Sequence, residues 1–167
     1  MPAEAQSVRQ LFDEVAPHYD RLNDLLSLGL HRLWKRQLVQ RLAPKDGEQW
    51  LDLCCGTGDL ALLVAERLRP SGTVLAVDAA ATPLQQARRR HQLSPWLPVQ
   101  WLQADALNVP RSAASFDGAV MAYGLRNLPD PAAGLRELRR LLHDDGHAFT
   151  LWKSRHYMGR TISRSHC

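Results

Sequence analysis

Residues 50 to 60 read Trp-Leu-Asp-Leu-Cys-Cys-Gly-Thr-Gly-Asp-Leu: a short apolar run, an acid (Asp52), then a turn holding Gly56, Thr57 and Gly58. Two glycines so spaced let backbone N–H groups come close to a ligand. The segment from Asp59 to Ala65 then opens a helix whose N-terminal end faces the same crevice. Gly56, Gly58 and Ala61 also satisfy the dinucleotide-binding pattern, so the glycines alone do not select a ligand.

The charges make that selection. A pyrophosphate at this turn would face the Asp52 carboxylate in a crevice of low dielectric, whereas the ammonium and sulfonium of S-adenosylmethionine would be attracted to it. A second strand-like run, Thr73 to Val77, ends in Asp78, about twenty residues beyond Gly58, where an acid binds both ribose hydroxyls of a nucleoside. The alternative for Asp78 is a cap on the helix starting near Thr82-Pro83, a role Thr82 can fill itself. A third run, Val99 to Gln103, leads into Ala104-Asp105-Ala106, placing Asp105 to accept a hydrogen bond from an adenine amino group.

Three acids at three strand ends need a sheet to gather them. Strands are expected near 48–53, 73–77, 99–103, 116–121 and 147–152, and helices near 59–68, 82–93 and 131–142. The alternation predicts an α/β fold, a doubly wound Rossmann-like parallel sheet with helices on both faces. Asp130-Pro131 is a good helix start, and Asp145-Gly146 is expected to close that helix. Ligands of such sheets bind beyond the C-terminal strand ends, where Asp52, Asp78, Asp105 and Tyr123-Gly124 fall.

At 167 residues with 45 % apolar content, the chain fits one domain with a real core. No run has the length of a membrane span, and the first residues lack a signal-peptide pattern, so a cytoplasmic protein is expected, with peripheral membrane contact open to it. A net charge of +4 does not demand nucleic acid, and none is expected as a partner. Cys54, Cys55 and Cys167 give no disulfide framework and read as small apolar fillers. Among seven histidines only His143 and His147 have a ligand-like spacing, and Asp145-Gly146 should break the helix that would align them, so no metal is expected.

Residues 4–43 read as helices, a cap over the main domain at 47–152. Val8, Leu11, Phe12, Val15, Tyr19, Leu22 and Leu26 recur at helical spacing. From Leu30 to Leu42, apolar residues alternate with His31, Arg32, Lys35, Arg36 and Arg41. Such a helix either packs on the domain with its charges in water or lies on an anionic membrane.

Four ordered motifs carry a family likeness: Phe12 to Asp24, Leu26 to Lys35, Leu51 to Leu60, and Gly124-Leu125-Arg126-Asn127. Over about residues 8 to 142 they resemble the quinone C-methyltransferases, which methylate ubiquinone and menaquinone precursors with S-adenosylmethionine. The Cys-Cys pair before Gly-Thr-Gly is similar to the cyanobacterial and plastid branch acting on demethylphylloquinone. The resemblance implies cofactor contacts at Thr57, Asp78, Asp105 and Ala106, with the Met121-Ala122-Tyr123 strand end beneath the cofactor. Some relatives carry a serine at the position of Ala122, a hydroxyl absent here.

Carbon methylation needs a nucleophilic ring carbon, which a reduced prenylated quinone supplies once a ring hydroxyl loses its proton. Alignment removes much of the barrier, so no triad or carboxylate pair is required. Arg126 is the candidate to stabilise the phenolate, and Tyr19, Asp20 or His31 to take its proton. The structural alternatives are a salt bridge for Arg126 and packing within the cap for Tyr19 and His31. Two other classes stay open: a nicotinamide-dependent oxidoreductase on the same fold, and an inactive cofactor-binding module. The second arises because residues 153–167 are basic, polar and unlike the family. They predict that the last helix and strands are lacking, which leaves the fifth strand as an open edge inviting self-association.

Overall fold

The computed structural model describes residues 30–122, 124–154 and 157–163. In chain order these form α1 (Leu30–Leu42), β1 (Gln49–Leu53), α2 (Asp59–Arg67), β2 (Thr73–Asp78), α3 (Ala81–His91), β3 (Val99–Gln103) and β4 (Phe116–Ala122). A 3₁₀ turn (Leu125–Asn127), α4 (Pro131–Leu141), β5 (Leu142–Ser154) and β6 (Tyr157–Ser163) follow. The strands make one sheet in the order β3-β2-β1-β4-β5-β6. The first five are parallel and β6 runs antiparallel beside β5.

Strand β1 lies inside the sheet with both faces covered, and therefore carries a continuous apolar run instead of an alternation. Trp50, Leu51 and Leu53 are fully buried. Trp50, Ala76 and Val120 pack with Leu38 and Val39 of α1, Val64 of α2 and Leu84 of α3. Leu51, Leu53, Val77 and Met121 pack with Leu138 and Leu141 of α4. The two separate cores are the two helix layers of a doubly wound fold, as the alternation predicts. In α1 the buried residues are apolar and Arg36 and Arg41 are exposed, so this helix packs on the domain with those charges in water.

Three local expectations change. Asp130 does cap α4, its Oδ1 accepting from Ala133 N at 2.9 Å ahead of Pro131. The helix stops at Leu141, however, and Asp145-Gly146 lies within β5. Phe116 pairs with Leu142 and Gly118 with His147, so residues 143–146 form a bulge, which suits Asp-Asp-Gly, a sequence with poor strand propensity. Thr82 is not the cap of α3; Ala80 holds that position. Finally, β5 is not an open edge. Tyr157–Ser163 runs antiparallel beside it and pairs from Ser154↔Tyr157 to His147↔Ser163. A segment that mixes Tyr157, Met158 and Ile162 with Gly159, Arg160, Thr161 and Ser163 can cover an edge because the ladder is made by backbone groups. The cap expected at 4–43 falls mostly outside the described residues.

Candidate active site

β1 and β4 are neighbours, yet the chain leaves their C-terminal ends in opposite directions, toward β2 from the one and toward β5 from the other. The crevice between two such departures is where open α/β sheets bind ligands. The turn after β1 holds three left-handed residues, Cys54 (φ 60°), Gly56 (φ 54°) and Gly58 (φ 82°). For Cys54 this conformation costs about 1–3 kcal/mol and persists because its surroundings over-determine it. Cys55 N donates to Val77 O at 2.9 Å and Gly56 N to Asp78 Oδ2 at 2.8 Å. From the other side the β4 loop approaches so closely that a Cβ on Gly124 would stand 2.5 Å from the Cys54 Cβ.

Asp78 therefore ties the glycine turn to the end of β2, and its Oδ1 also accepts from Ala80 N at 2.9 Å, shaping the entry to α3. Asp105 is exposed beyond β3. Its Oδ1 accepts from Leu107 N at 3.0 Å, and the adjoining Ala106 is buried. Ala104 N donates to Asp78 O at 3.1 Å, joining the two strand ends. Ala122, half-buried, ends β4, and Arg126 is exposed on the 3₁₀ turn that follows. Thus Gly56, Thr57, Gly58, Asp78, Asp105, Ala106, Ala122 and Arg126 gather at one end of the sheet. Tyr19 and Asp20 lie outside the described residues. His31 lies in the first turn of α1 with its side chain outside them as well.

Asp52 sits beneath this group and not beside it. It is 1 % exposed, paired in register with Ala76 on one side and Val120 on the other. Burial pushes its carboxyl from 3.8 up to about 8, against the opposing pull of the Ala61 backbone N–H and the Lys35 ammonium. Its Oδ2 has no hydrogen-bond partner among the described residues. The anionic Asp52 read from the sequence is, in this environment, a carboxyl that holds its proton to about pH 8. An orphaned carboxyl oxygen fits a cationic or N–H-bearing ligand, whose approach would favour the ionised form.

This has a measurable consequence. Because the folded-state value is raised, the Asp52 contribution to stability is fully present below 3.8 and is lost as pH rises through about 8. Thermal melts of the ligand-free protein from about pH 6 to about pH 9 are expected to lose up to about 1.4 kcal/mol per pH unit, and Asp52→Asn to flatten the profile. A wild-type profile that is already flat would contradict the buried assignment. Burial, followed by the neighbouring Asp side chains, also pushes up both thiols of Cys54 and Cys55, which suits apolar fillers and not nucleophiles.

Sequence reading passed over three features. Asp59, the first residue of α2, receives Lys35 Nζ at 2.7 Å on one oxygen and Arg90 Nη2 at 2.6 Å on the other. Trp101 of β3 donates from Nε1 to His91 Nδ1 at 3.0 Å while its ring lies against Gly58. Glu137 accepts from Val109 N at 2.9 Å and from Arg140 at 2.7 Å, and Arg140 also donates to Val109 O and Arg111 O, holding the segment after Asp105 against α4. The only signal for any of them was charge on helix faces, which most often means solvated surface.

The family model described as the ubiE/COQ5 methyltransferase family matches residues 1–163. The chain is 48 % identical over 145 residues to the 2-phytyl-1,4-naphtoquinone methyltransferase of Thermosynechococcus vestitus, covering 87 % of this chain and 64 % of that protein. It is 42 % identical over 137 residues to the chloroplastic 2-phytyl-1,4-beta-naphthoquinone methyltransferase of Arabidopsis thaliana, covering 80 % and 52 %. The chain thus spans less than two thirds of the length of these relatives. Among solved structures, a SAM dependent methyltransferase from Aquifex aeolicus superposes with a TM-score of 0.67 at 18 % identity, over 78 % of this chain and 70 % of that one, a likeness of fold. With the family model matched along nearly its whole length, the chain belongs to the ubiE/COQ5 methyltransferase family.

Proposed function

We propose that this protein binds S-adenosylmethionine at the Gly56–Gly58 turn and takes part in C-methylation of a prenylated naphthoquinol, a demethylphylloquinol or demethylmenaquinol. The observation that carries the cofactor assignment is the buried, unpartnered Asp52 oxygen under a glycine turn at the switch point of the sheet. Names of the relatives support the substrate class. A nicotinamide reading is disfavoured because the matching family and the relatives named are methyltransferases.

Bound there, S-adenosylmethionine would supply an electrophilic methyl group. The chain would supply position and field. Gly56 and Gly58 would let the backbone approach the cofactor, Asp78 and Asp105 would accept from ribose and adenine, and Asp52 would give up its proton to face the positive charge from below. Arg126, just beyond β4, would hold the negative charge of the ring oxygen, and Tyr19, Asp20 or His31 would take the hydroxyl proton. Alignment of ring carbon and methyl would provide most of the acceleration. A substrate with a prenyl tail lives in lipid, so the protein would meet a membrane peripherally. Among the described residues no helix is long and apolar enough to cross one. Leu93 and Trp96, exposed after the run Arg88-Arg89-Arg90, offer a surface of the right character for that contact.

S-adenosylmethionine or its demethylated product is expected to raise the melting temperature, and NAD at the same concentration to leave it unchanged. At a hundredfold excess over Kd the gain is about 2.7 kcal/mol. Equal stabilisation by NAD would sink the assignment. Transfer of a labelled methyl group to a reduced demethylnaphthoquinone tests the chemistry directly.

A further inference from the structure

Around the glycine turn the rim carries acids: Asp52 below, Asp78 and Asp105 at the next two strand ends. One cluster breaks this pattern. Lys35 of α1 and Arg90 of α3 meet on Asp59 at 2.7 and 2.6 Å, giving two positive charges against one negative at the start of α2. Asp59 is held ionised: burial opposes this, but Lys35 and then Arg90 bring its carboxyl down to about 2. Arg90 does more than neutralise. Its Nη1 donates to Thr57 O at 2.9 Å and to Thr57 Oγ1 at 3.3 Å.

A hydroxyl has one proton and two lone pairs. With an Arg90 N–H directed at the oxygen of Thr57, that hydroxyl is set up to spend its own proton as a donor. Thr57 stands between the two glycines, where the backbone turns toward the crevice. A donor hydroxyl beside a net positive cluster, on an otherwise acidic rim, is matched to a carboxylate. Resting on the cofactor assignment above, we propose that Arg90, braced by Lys35 through Asp59, is a positioning residue that presents the Thr57 hydroxyl to the carboxylate of the cofactor's amino-acid end. The arrangement brings a lysine from α1 and an arginine from α3 together on one turn.

The test separates this from a structural salt bridge and from failure of the cofactor assignment. Calorimetry would compare S-adenosylhomocysteine, which carries the carboxylate, with methylthioadenosine, which lacks the amino-acid moiety. Arg90→Met and Thr57→Val are each expected to weaken S-adenosylhomocysteine about tenfold, leave methylthioadenosine within about twofold, and show no further loss when combined, because both remove one interaction. Arg90→Lys keeps the charge on Asp59 but lacks the planar fork, so it should restore the melting temperature without restoring affinity. Equal weakening of both ligands, or additive losses in the double variant, would overturn the proposal while leaving the cofactor assignment intact. Wild-type protein that binds neither ligand would overturn both.

Discussion

In a methyl-transfer assay on a reduced demethylnaphthoquinone, Arg126→Ala is expected to lower kcat by about 10²–10³-fold while changing the Kd for S-adenosylmethionine by no more than about twofold. The reasoning is positional. Arg126 is exposed on the turn Leu125–Asn127, just past the C-terminal end of β4, and Asn127 N donates to Gly124 O at 2.9 Å to fix that turn. Leu125 packs against the core below, so the guanidinium is carried on a seated element. Charge grows on the ring oxygen as its proton leaves, and an interaction that strengthens with it belongs to the transition state, so the loss falls on kcat and not on cofactor binding. Arg126→Lys, keeping charge without the fork, should recover part of the rate. If Arg126→Ala only lowers the melting temperature, with normal turnover per folded molecule, the residue is structural.

Gly58→Ala is expected to be the most damaging single change in the cofactor turn, costing roughly 3–5 kcal/mol of stability through two separate mechanisms. Gly58 has φ 82°, where a side chain is strained. A Cβ there would also overlap the Trp101 ring and stand 3.2 Å from the Ala87 Cβ. Trp101 cannot yield freely, since its Nε1 is bonded to His91, whose Nε2 in turn contacts Leu97 O at 2.9 Å. Either α3 moves away or the turn opens, and each displaces the backbone that would meet the cofactor. The expected readouts are a melting temperature lower by roughly 6–20 °C and a cofactor affinity below detection. Gly56→Ala makes a useful control: φ is 54° but nothing lies within 4 Å of its Cβ, so only the conformational cost remains. Equal destabilisation by the two substitutions would show that the Trp101 contact carries no weight.

The membrane reading narrows in a related way. A basic amphipathic helix has two outcomes that its sequence alone does not separate. In α1 Leu38 and Val39 are buried against the domain while Leu33 is half exposed, and Leu93 and Trp96 after α3 are the other exposed large apolar groups among the described residues.

Much of this molecule is written locally. Apolar runs of five to seven residues ending in Asp or Gly, separated by helical periods, are enough to specify parallel strands, and the observed β1 to β4 boundaries lie within a residue or so of those read from the chain. A glycine pair after the first strand and acids after the next two needed no coordinates, because the tight turn and the strand-end position are properties of a few consecutive residues. What the sequence could not contain was set by distance across the fold. Whether Asp52 is charged depends on burial between Ala76 and Val120, a matter of dielectric and not of spacing. Whether Lys35 and Arg90 are solvent charges or a clamp depends on two helices meeting at Asp59, residues 24 and 31 positions away along the chain. Residues 157–163 seal the edge of β5 because backbone hydrogen bonds form wherever a strand is brought alongside, whatever its side chains, and only the tertiary structure brings it there.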